Sequence, residues 1–297
     1  MQSGGHVKTG MSFSPYESTY GRYGAAKFSV LRQHGYNAAD YDLCDTDTEL
    51  YHLDETALER KMSAEKAAAQ AAGIEISQTH GPWRWPPQDS TAQDRAERME
   101  KMKKSVVITA LLGCRHLVIH PIMPYGIEDL ELHREKETRE LNLAFFGELV
   151  AFAKQYGVII CLENMPMVNF SLATPEQILS FVQEIGDEHL QICFDTGHVA
   201  VFPGLSVGDE IRRLGDFIKV FHIHDNNGDR DAHLYPTKGI IDWAGFAAAV
   251  HETGFDGVLS LETAPSGEYD DARFEQESIE LNKLFRSLAE SRSGNIL

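Results

Sequence analysis

Short apolar runs alternate with longer amphipathic stretches along the chain. The short runs cover 7–13, 35–41, 74–79, 116–120, 158–163, 190–195, 218–224 and 257–262. Each has the length of a strand, and several are rich in Val, Ile or Phe, so they predict buried strands. The stretches between them predict helices over roughly 23–34, 55–72, 91–112, 134–156, 174–185, 207–214, 243–253 and 270–289. Their ends carry local signals. Thr174-Pro175-Glu176 supplies an N-cap, a proline at the first helical position and an early acid. Asp242 caps the helix that begins at Trp243, and Gly73, Gly113, Gly157 and Gly254 close helices just before a strand.

Strict alternation of strand and helix implies parallel strands joined by right-handed crossovers. Eight such units in 297 residues fit an α/β fold of the (β/α)₈ TIM-barrel type, one domain over 1–297, with 1–6 as a flexible lead-in. A doubly wound open sheet would show a Gly-rich first turn, and Ser14-Pro15-Tyr16-Glu17 is not one. A chain of this length can bury about 75% of its unfolded surface, enough for one large core.

Composition narrows the partners. The formal net charge of −18 disfavours nucleic acid, and the densest basic cluster, Lys101, Lys103 and Lys104, falls on a helix read as a solvated outer face. No apolar stretch is long enough to cross a bilayer, and MQSGGHVKTG carries no signal core, so a cytoplasmic protein without membrane partners is expected. Cys44, Cys114, Cys161 and Cys193 form no CxxC pair, which argues against a disulfide frame or a thiolate metal site. The last three sit in or beside apolar runs, as small core residues do.

The polar residues at the strand ends change the picture most. Six of the eight runs end in carboxylates or histidines: His80, His120, Glu163, Asp195 with His198 just beyond, His222 with His224, and Glu262. In a closed barrel these ends meet on one rim, where barrel active sites are built. His222 and His224 are two apart on a strand and share a face with Val220, whereas Phe221 and Ile223 point toward the helices. Glu163, Asp195 and Glu262 would be costly to bury unpaired, and a divalent cation would neutralise them together. Three carboxylates with an imidazole and no thiolate suit Mn²⁺, Mg²⁺, Co²⁺ or Zn²⁺.

The strings CLENMP over 161–166, CFDTGHV over 193–199, FHIHDNNGDRDAH over 221–233, then Gly239, Asp242-Trp243 and LSLET over 259–263, resemble the xylose isomerase-like barrel superfamily. That group spans sugar and sugar-phosphate isomerases and epimerases, inosose dehydratase, hydroxypyruvate isomerase and the endonuclease IV family. The resemblance implies one cation held by Glu163, Asp195, His222 and Glu262, with His222 preferred over His224 because it stands three residues before Asp225. It also implies that Glu163 and Glu262 act as the catalytic acid–base pair. The endonuclease pattern of nine ligands around three zincs matches His80, His120, Glu163, Asp195, His198, His222, Asp231, His233 and Glu262.

The expected activity is therefore a metal-dependent isomerase or epimerase of a small sugar, sugar phosphate or polyol, working by α-proton transfer through a metal-stabilised enediolate. The alternatives are a dehydratase or lyase of a cyclic polyol or keto acid, an endonuclease IV-type multi-zinc phosphodiesterase, and a non-catalytic sugar-binding subunit. His80, His120, His198, His224, Asp231 and His233 are expected at a second cation or at substrate. Trp83 and Trp85 are expected to wall the pocket, Asn164 to orient Glu163 or a substrate hydroxyl, and Arg84 to meet a substrate anion. The resemblance leaves room for a homo-oligomer.

Overall fold

Eight strands run β1 Lys8–Phe13, β2 Ala38–Asp42, β3 Glu75–His80, β4 His116–Ile119, β5 Ile159–Glu163, β6 Leu190–Asp195, β7 Ile218–His222 and β8 Val258–Leu261 in the computed structural model. The structure describes residues 7–14, 18–263 and 270–291; the expected lead-in and part of the loop after β1 lie outside the described residues. The sheet order is β7-β6-β5-β4-β3-β2-β1-β8, with parallel pairing throughout. The ring closes through Ile223, which bridges Leu261: its N–H donates to Ser260 O (2.9 Å), and its carbonyl accepts from Glu262 N (3.0 Å). This is the (β/α)₈ barrel expected from the alternation.

Each strand is followed by an outer helix: α1 Lys27–Gln33, α2 Glu55–Ala72, α3 Ala92–Leu112, α4 Glu135–Ala153, α5 Pro175–Ile185, α6 Val207–Leu214, α7 Trp243–Thr253 and α8 Asp271–Glu290. Thr91 with Asp94 and Thr174 with Gln177 form capping boxes at α3 and α5, so backbone donors at both starts are satisfied reciprocally. Gly73, Gly113, Gly157 and Gly254 all take the left-handed conformation that ends a helix before the next strand. The predicted first helix is shorter than its pattern, because 24–26 form a 3₁₀ turn ahead of α1. A one-turn helix, Thr196–Ala200, was not anticipated; Asp195 caps it by accepting the His198 N–H at 2.6 Å.

The main core lies between strands and helices and is rich in Phe, Tyr and Leu. Inside the barrel the filling is different. Val118, Cys161, Cys193 and Val220, one from each of β4 to β7, form a small apolar cluster of their own. Asp40 and Gln78 on β2 and β3 are fully buried and hydrogen-bonded to each other, and Ser260 on β8 is fully buried too. Two register shifts make this interior possible. One falls where Ser77 is the extra residue on β3, the other where Lys219 is the extra residue on β7. Because side chains alternate with period two, a bulge reverses which face the next residues occupy. Ile76 and Ile218 before the bulges pack outward in the main core, whereas Gln78, His80, Val220 and His222 after them face inward.

Candidate metal centre

Glu163, at the end of β5, is the hub of the rim. Its Oε2 lies 2.9 Å from His120 Nε2 and 3.3 Å from His80 Nε2, and its Oε1 lies 2.8 Å from His222 Nδ1. His222 Nδ1 also faces Glu262 Oε2 at 3.3 Å, so this imidazole stands between the two glutamates. Its other nitrogen, Nε2, reaches down and across the barrel to Asp40 Oδ2 at 3.0 Å. The His80 and His222 rings stack with centroids 5.5 Å apart. Glu163 is 1% exposed, and His222 and Asp40 are 0% exposed, so these charges are removed from water.

A second cluster adjoins it. Asp195 Oδ2 meets His224 Nε2 at 3.0 Å, and Asp231 Oδ2 lies 3.3 Å from His198 Nε2 and 3.2 Å from His233 Nε2. His198 joins the clusters, its Nδ1 lying 3.8 Å from Glu163 Oε1 and 3.7 Å from Asp195 Oδ1. His224 and His233 stack at 4.1 Å, and His233 Nδ1 donates to the Glu262 carbonyl at 2.7 Å. Gly197 makes room for His224: a Cβ there would fall 2.0 Å from the imidazole Cε1.

The electrostatics follow from these contacts. Burial alone would raise the Glu163 carboxyl, but His222 and His120 hold it well below the usual carboxylate range. Asp195, despite burial, is lowered by His198 and His224. Glu262 moves the other way: burial raises it, against the pull of His222 and His233. Burial would lower His198, yet the Asp195 and Asp231 carboxylates carry it to about 10. His80, also opposed by burial, rises to about 8 on the Glu163 bond, whereas burial takes His120 down to about 4. In the metal-free protein, imidazolium protons thus balance the carboxylates.

That donor set fits a divalent cation. Glu163 and Glu262 both meet His222, whereas Asp195 falls in the neighbouring triad with His198 and His224 and reaches Glu163 only by way of His198; within each triad, His80–His120–Glu163 and Asp195–His198–His224 among them, the ligand atoms lie within 4.8 Å of one another. The Cys193 thiol lies beside Glu163 and His222, and burial drives it up.

Above the rim opens a cavity of about 620 Å³ whose walls include Trp83, Trp85, Met165 and Met167, with His120, His198 and Asp231 at its polar side. Trp83 packs edge-on against His120 at 4.5 Å. Arg84 turns away: it donates to Thr46 Oγ1 and Gln88 Oε1, both at 2.7 Å, and lines a separate depression of about 40 Å³. Asn164 is not free for a ligand, because its Oδ1 accepts from Asp195 N (2.9 Å) and its Nδ2 donates to Asp195 O (3.0 Å). It ties the end of β5 to that of β6, and its carbonyl lies 2.7 Å from His198 Nδ1.

Three neighbours escaped the sequence reading: Asp40, Gln78 and Cys44, whose Sγ lies 2.9 Å from His80 Nδ1. The signal for Asp40 was present. It is a carboxylate inside the predicted strand 35–41, one residue before its end, and it is central in the observed β2. Asp225, which marked His222 as a ligand, is itself a staple. It accepts from the N–H groups of Asn226, Thr237, Gly239 and Ile241 and from the Trp243 indole, and so folds the loop that carries Asp231 and His233.

The sequence profile of the xylose isomerase-like TIM-barrel family matches residues 28–283. An uncharacterized protein of Methanocaldococcus jannaschii is 34% identical over 174 residues, 56% of this chain and 58% of that protein. This chain thus spans a little over half the length of that relative. A D-psicose 3-epimerase of Enterocloster bolteae is 24% identical over 252 residues, 84% of this chain and 77% of the relative. The solved structure of a D-tagatose 3-epimerase-like protein is 25% identical, with a TM-score of 0.73 over 95% of this chain and 98% of its own. With eight parallel strands closed into one ring and a family profile that spans most of the sequence, the chain belongs to the xylose isomerase-like TIM-barrel family.

Proposed function

We propose that this chain is a metal-dependent isomerase or epimerase of a small sugar, sugar phosphate or polyol. The observation that carries the reading is the pair of glutamates on either side of His222. Glu163 and Glu262 lie 2.8 and 3.3 Å from the same Nδ1, and their acidities are displaced in opposite directions. Two carboxyl groups whose environments push them apart are the mark of a base and an acid sharing one site. The names of the relatives, D-psicose 3-epimerase and D-tagatose 3-epimerase-like protein, support the substrate class.

Glu163, Asp195, His222 and Glu262 would hold the cation. A divalent ion there supplies Lewis-acid polarisation of a carbonyl. Glu163 takes the proton from the carbon beside the substrate carbonyl. Glu262, on the other side of His222, returns a proton to the opposite face in epimerisation, or to the neighbouring carbon in isomerisation. Trp83 and Trp85 stack on the apolar side of the sugar and thin the water above it.

The test is incorporation of solvent deuterium into free ketoses, D-psicose, D-fructose and D-tagatose among them, and their phosphates, by protein loaded with Mn²⁺, Mg²⁺, Co²⁺ or Zn²⁺. Exchange at the carbon beside the carbonyl is expected. Its absence with every cation would end this reading. One observation favours a second reading, a multi-zinc phosphodiesterase: nine acids and imidazoles of that ligand pattern gather in two adjoining clusters. Three bound zincs with cleavage of an abasic duplex would select it; the net charge of −18 weighs against a polyanionic substrate.

A further inference from the structure

We infer that Asp40 is the positioning residue of the metal centre: from the floor of the barrel it fixes the His222 ring so that Nδ1 presents its lone pair between Glu163 and Glu262. The inference rests on the metal-dependent reading above and extends it to a residue that touches neither cation nor substrate.

Asp40 is fully buried on β2, and its Oδ2 accepts two hydrogen bonds at 3.0 Å, from His222 Nε2 and from Gln78 Nε2. The hydrogen bond from the imidazole to a carboxylate oxygen uses the Nε2–H. That choice leaves Nδ1 as the coordinating nitrogen, and Nδ1 is the atom 2.8 Å from Glu163 Oε1 and 3.3 Å from Glu262 Oε2. The ring cannot turn freely, because His80 stacks on its face with the planes 12° apart. Gln78 in turn is fixed by the bulge at Ser77, which sets Gln78 level with Asp40, and its Nε2 also reaches the Phe221 carbonyl at 3.3 Å.

Packing does not explain an acid at this position. Burying a carboxylate is costly, and well-packed apolar residues usually replace a buried ion pair without loss of stability. Asp40 bears that cost with one oxygen idle: among the described residues its Oδ1 has no hydrogen-bond partner. The return comes at the metal. A histidine ligand whose second nitrogen is held by a carboxylate is oriented and made more basic, and removing such a partner typically weakens metal binding about 10- to 100-fold.

The test is Co²⁺ binding to the metal-free full chain, followed by titration calorimetry and the visible absorption of the bound ion, in wild type, Asp40→Asn, His222→Ala and the double variant. Asp40→Asn should weaken Co²⁺ binding about 10- to 100-fold and change the absorption band, with the melting temperature of the metal-free protein unchanged or raised. In the His222→Ala background the same substitution should cost nothing further, because Asp40 acts through that ring. Gln78→Met, which frees Asp40 from its second donor, should give a smaller loss in the same direction and serves if Asp40→Asn fails to fold. Wild-type affinity in Asp40→Asn, or an equal loss with and without His222, would overturn the inference while leaving the metal reading intact. A wild-type chain that binds no cation would overturn both.

Discussion

The barrel interior has two unlike halves. Under β4 to β7 it is filled by Val118, Cys161, Cys193 and Val220, which pack as one small apolar cluster with the Cys193 thiol beside His222. Under β8 and β1 to β3 it holds Ser260, Gly10, Asp40 and Gln78, and three of their polar atoms, Ser260 Oγ, Asp40 Oδ1 and Gln78 Oε1, have no partner among the described residues. The first half does what a barrel core must do: it fills space. The second half gives up stability, and His222, which stands on β7 above Val220, reaches across to it through Asp40. The lesson is that the carboxylate and amide reaching the site from the floor both come from one side.

The largest effect should come from the glutamates, one above each half. Glu163 rises over the apolar half and touches His80, His120 and His222; Glu262 rises over the polar half and lies 3.3 Å from His222, with His224 and His233 within 4.8 Å. Glu163→Gln and Glu262→Gln should each cut deuterium exchange about 10²- to 10⁴-fold, the range for loss of one acid–base group. Glu163→Gln should also weaken cation binding more than Glu262→Gln, since three imidazoles lose their common acceptor. Equal cation affinities in the two variants would contradict the hub role of Glu163.

Next in size is the contrast between two histidines on one strand face. His222 links both glutamates to the polar floor, whereas His224 pairs with Asp195 in the outer cluster. His222→Ala should therefore weaken the tighter-bound cation by a larger factor than His224→Ala, measured by titration of Mn²⁺ into metal-free protein. The reverse ranking would move the primary site outward, to Asp195, His198 and His224.

Much of this was legible in the chain. The alternation of short and long runs fixed the eight units, and strand-end residues such as Glu163, Asp195 and Glu262 announced the rim because charged groups seldom close an apolar run without a partner. The apolar half of the interior was readable too: Val220 falls in phase with His222, and Cys161 and Cys193 sit in apolar runs two residues before Glu163 and Asp195. What could not be read were the bulges at Ser77 and Lys219. A bulge shifts the phase of the alternation, but in strands of five or six residues that shift is too short to read, and the extra residue is defined by the partner strand. The roles of Asp40 and Gln78 were hidden for the same reason, because their meaning lies in a ring contributed by residue 222. Asn164 and Arg84 looked like substrate groups from their place beside the rim, but short-range geometry engages them elsewhere, with the Asp195 backbone and with Thr46 and Gln88.

A third contrast concerns protons. His198 is carried to about 10 and His80 to about 8, so above the ordinary histidine value of about 6.5 the folded metal-free protein binds more protons than the unfolded chain. A raised pKa contributes stability that is whole below about 6.5 and is lost as pH climbs through the folded value. His120, lowered to about 4, acts only below this window. Metal-free protein should thus melt at progressively lower temperature from pH 6.5 to 10. Cation affinity should rise over the same window, because the imidazolium protons must leave before the ligands can bind. Melting curves of chelator-treated and Mn²⁺-loaded protein should diverge with pH; a parallel decline would show that the cation does not displace these protons.

The smallest effects test the two halves directly. Val220→Thr keeps the shape of a fully packed side chain and adds a hydroxyl among Val118, Cys161 and Cys193, where nothing stronger than a thiol can receive it. It should cost about 1–3 kcal/mol. Ser260→Ala removes a hydroxyl that is buried and has no partner among the described residues, and that faces Gly10, 3.4 Å from where a Cβ there would lie. It should be neutral or stabilise by up to about 1 kcal/mol, because a donor that folding strips of water is no longer left unpaired. The opposite signs are the point of the pair, read by thermal or urea unfolding of metal-free protein. If Ser260→Ala destabilises as much as Val220→Thr, the polar half is satisfied after all, and Asp40 then sits in a network built for stability rather than one held open for His222.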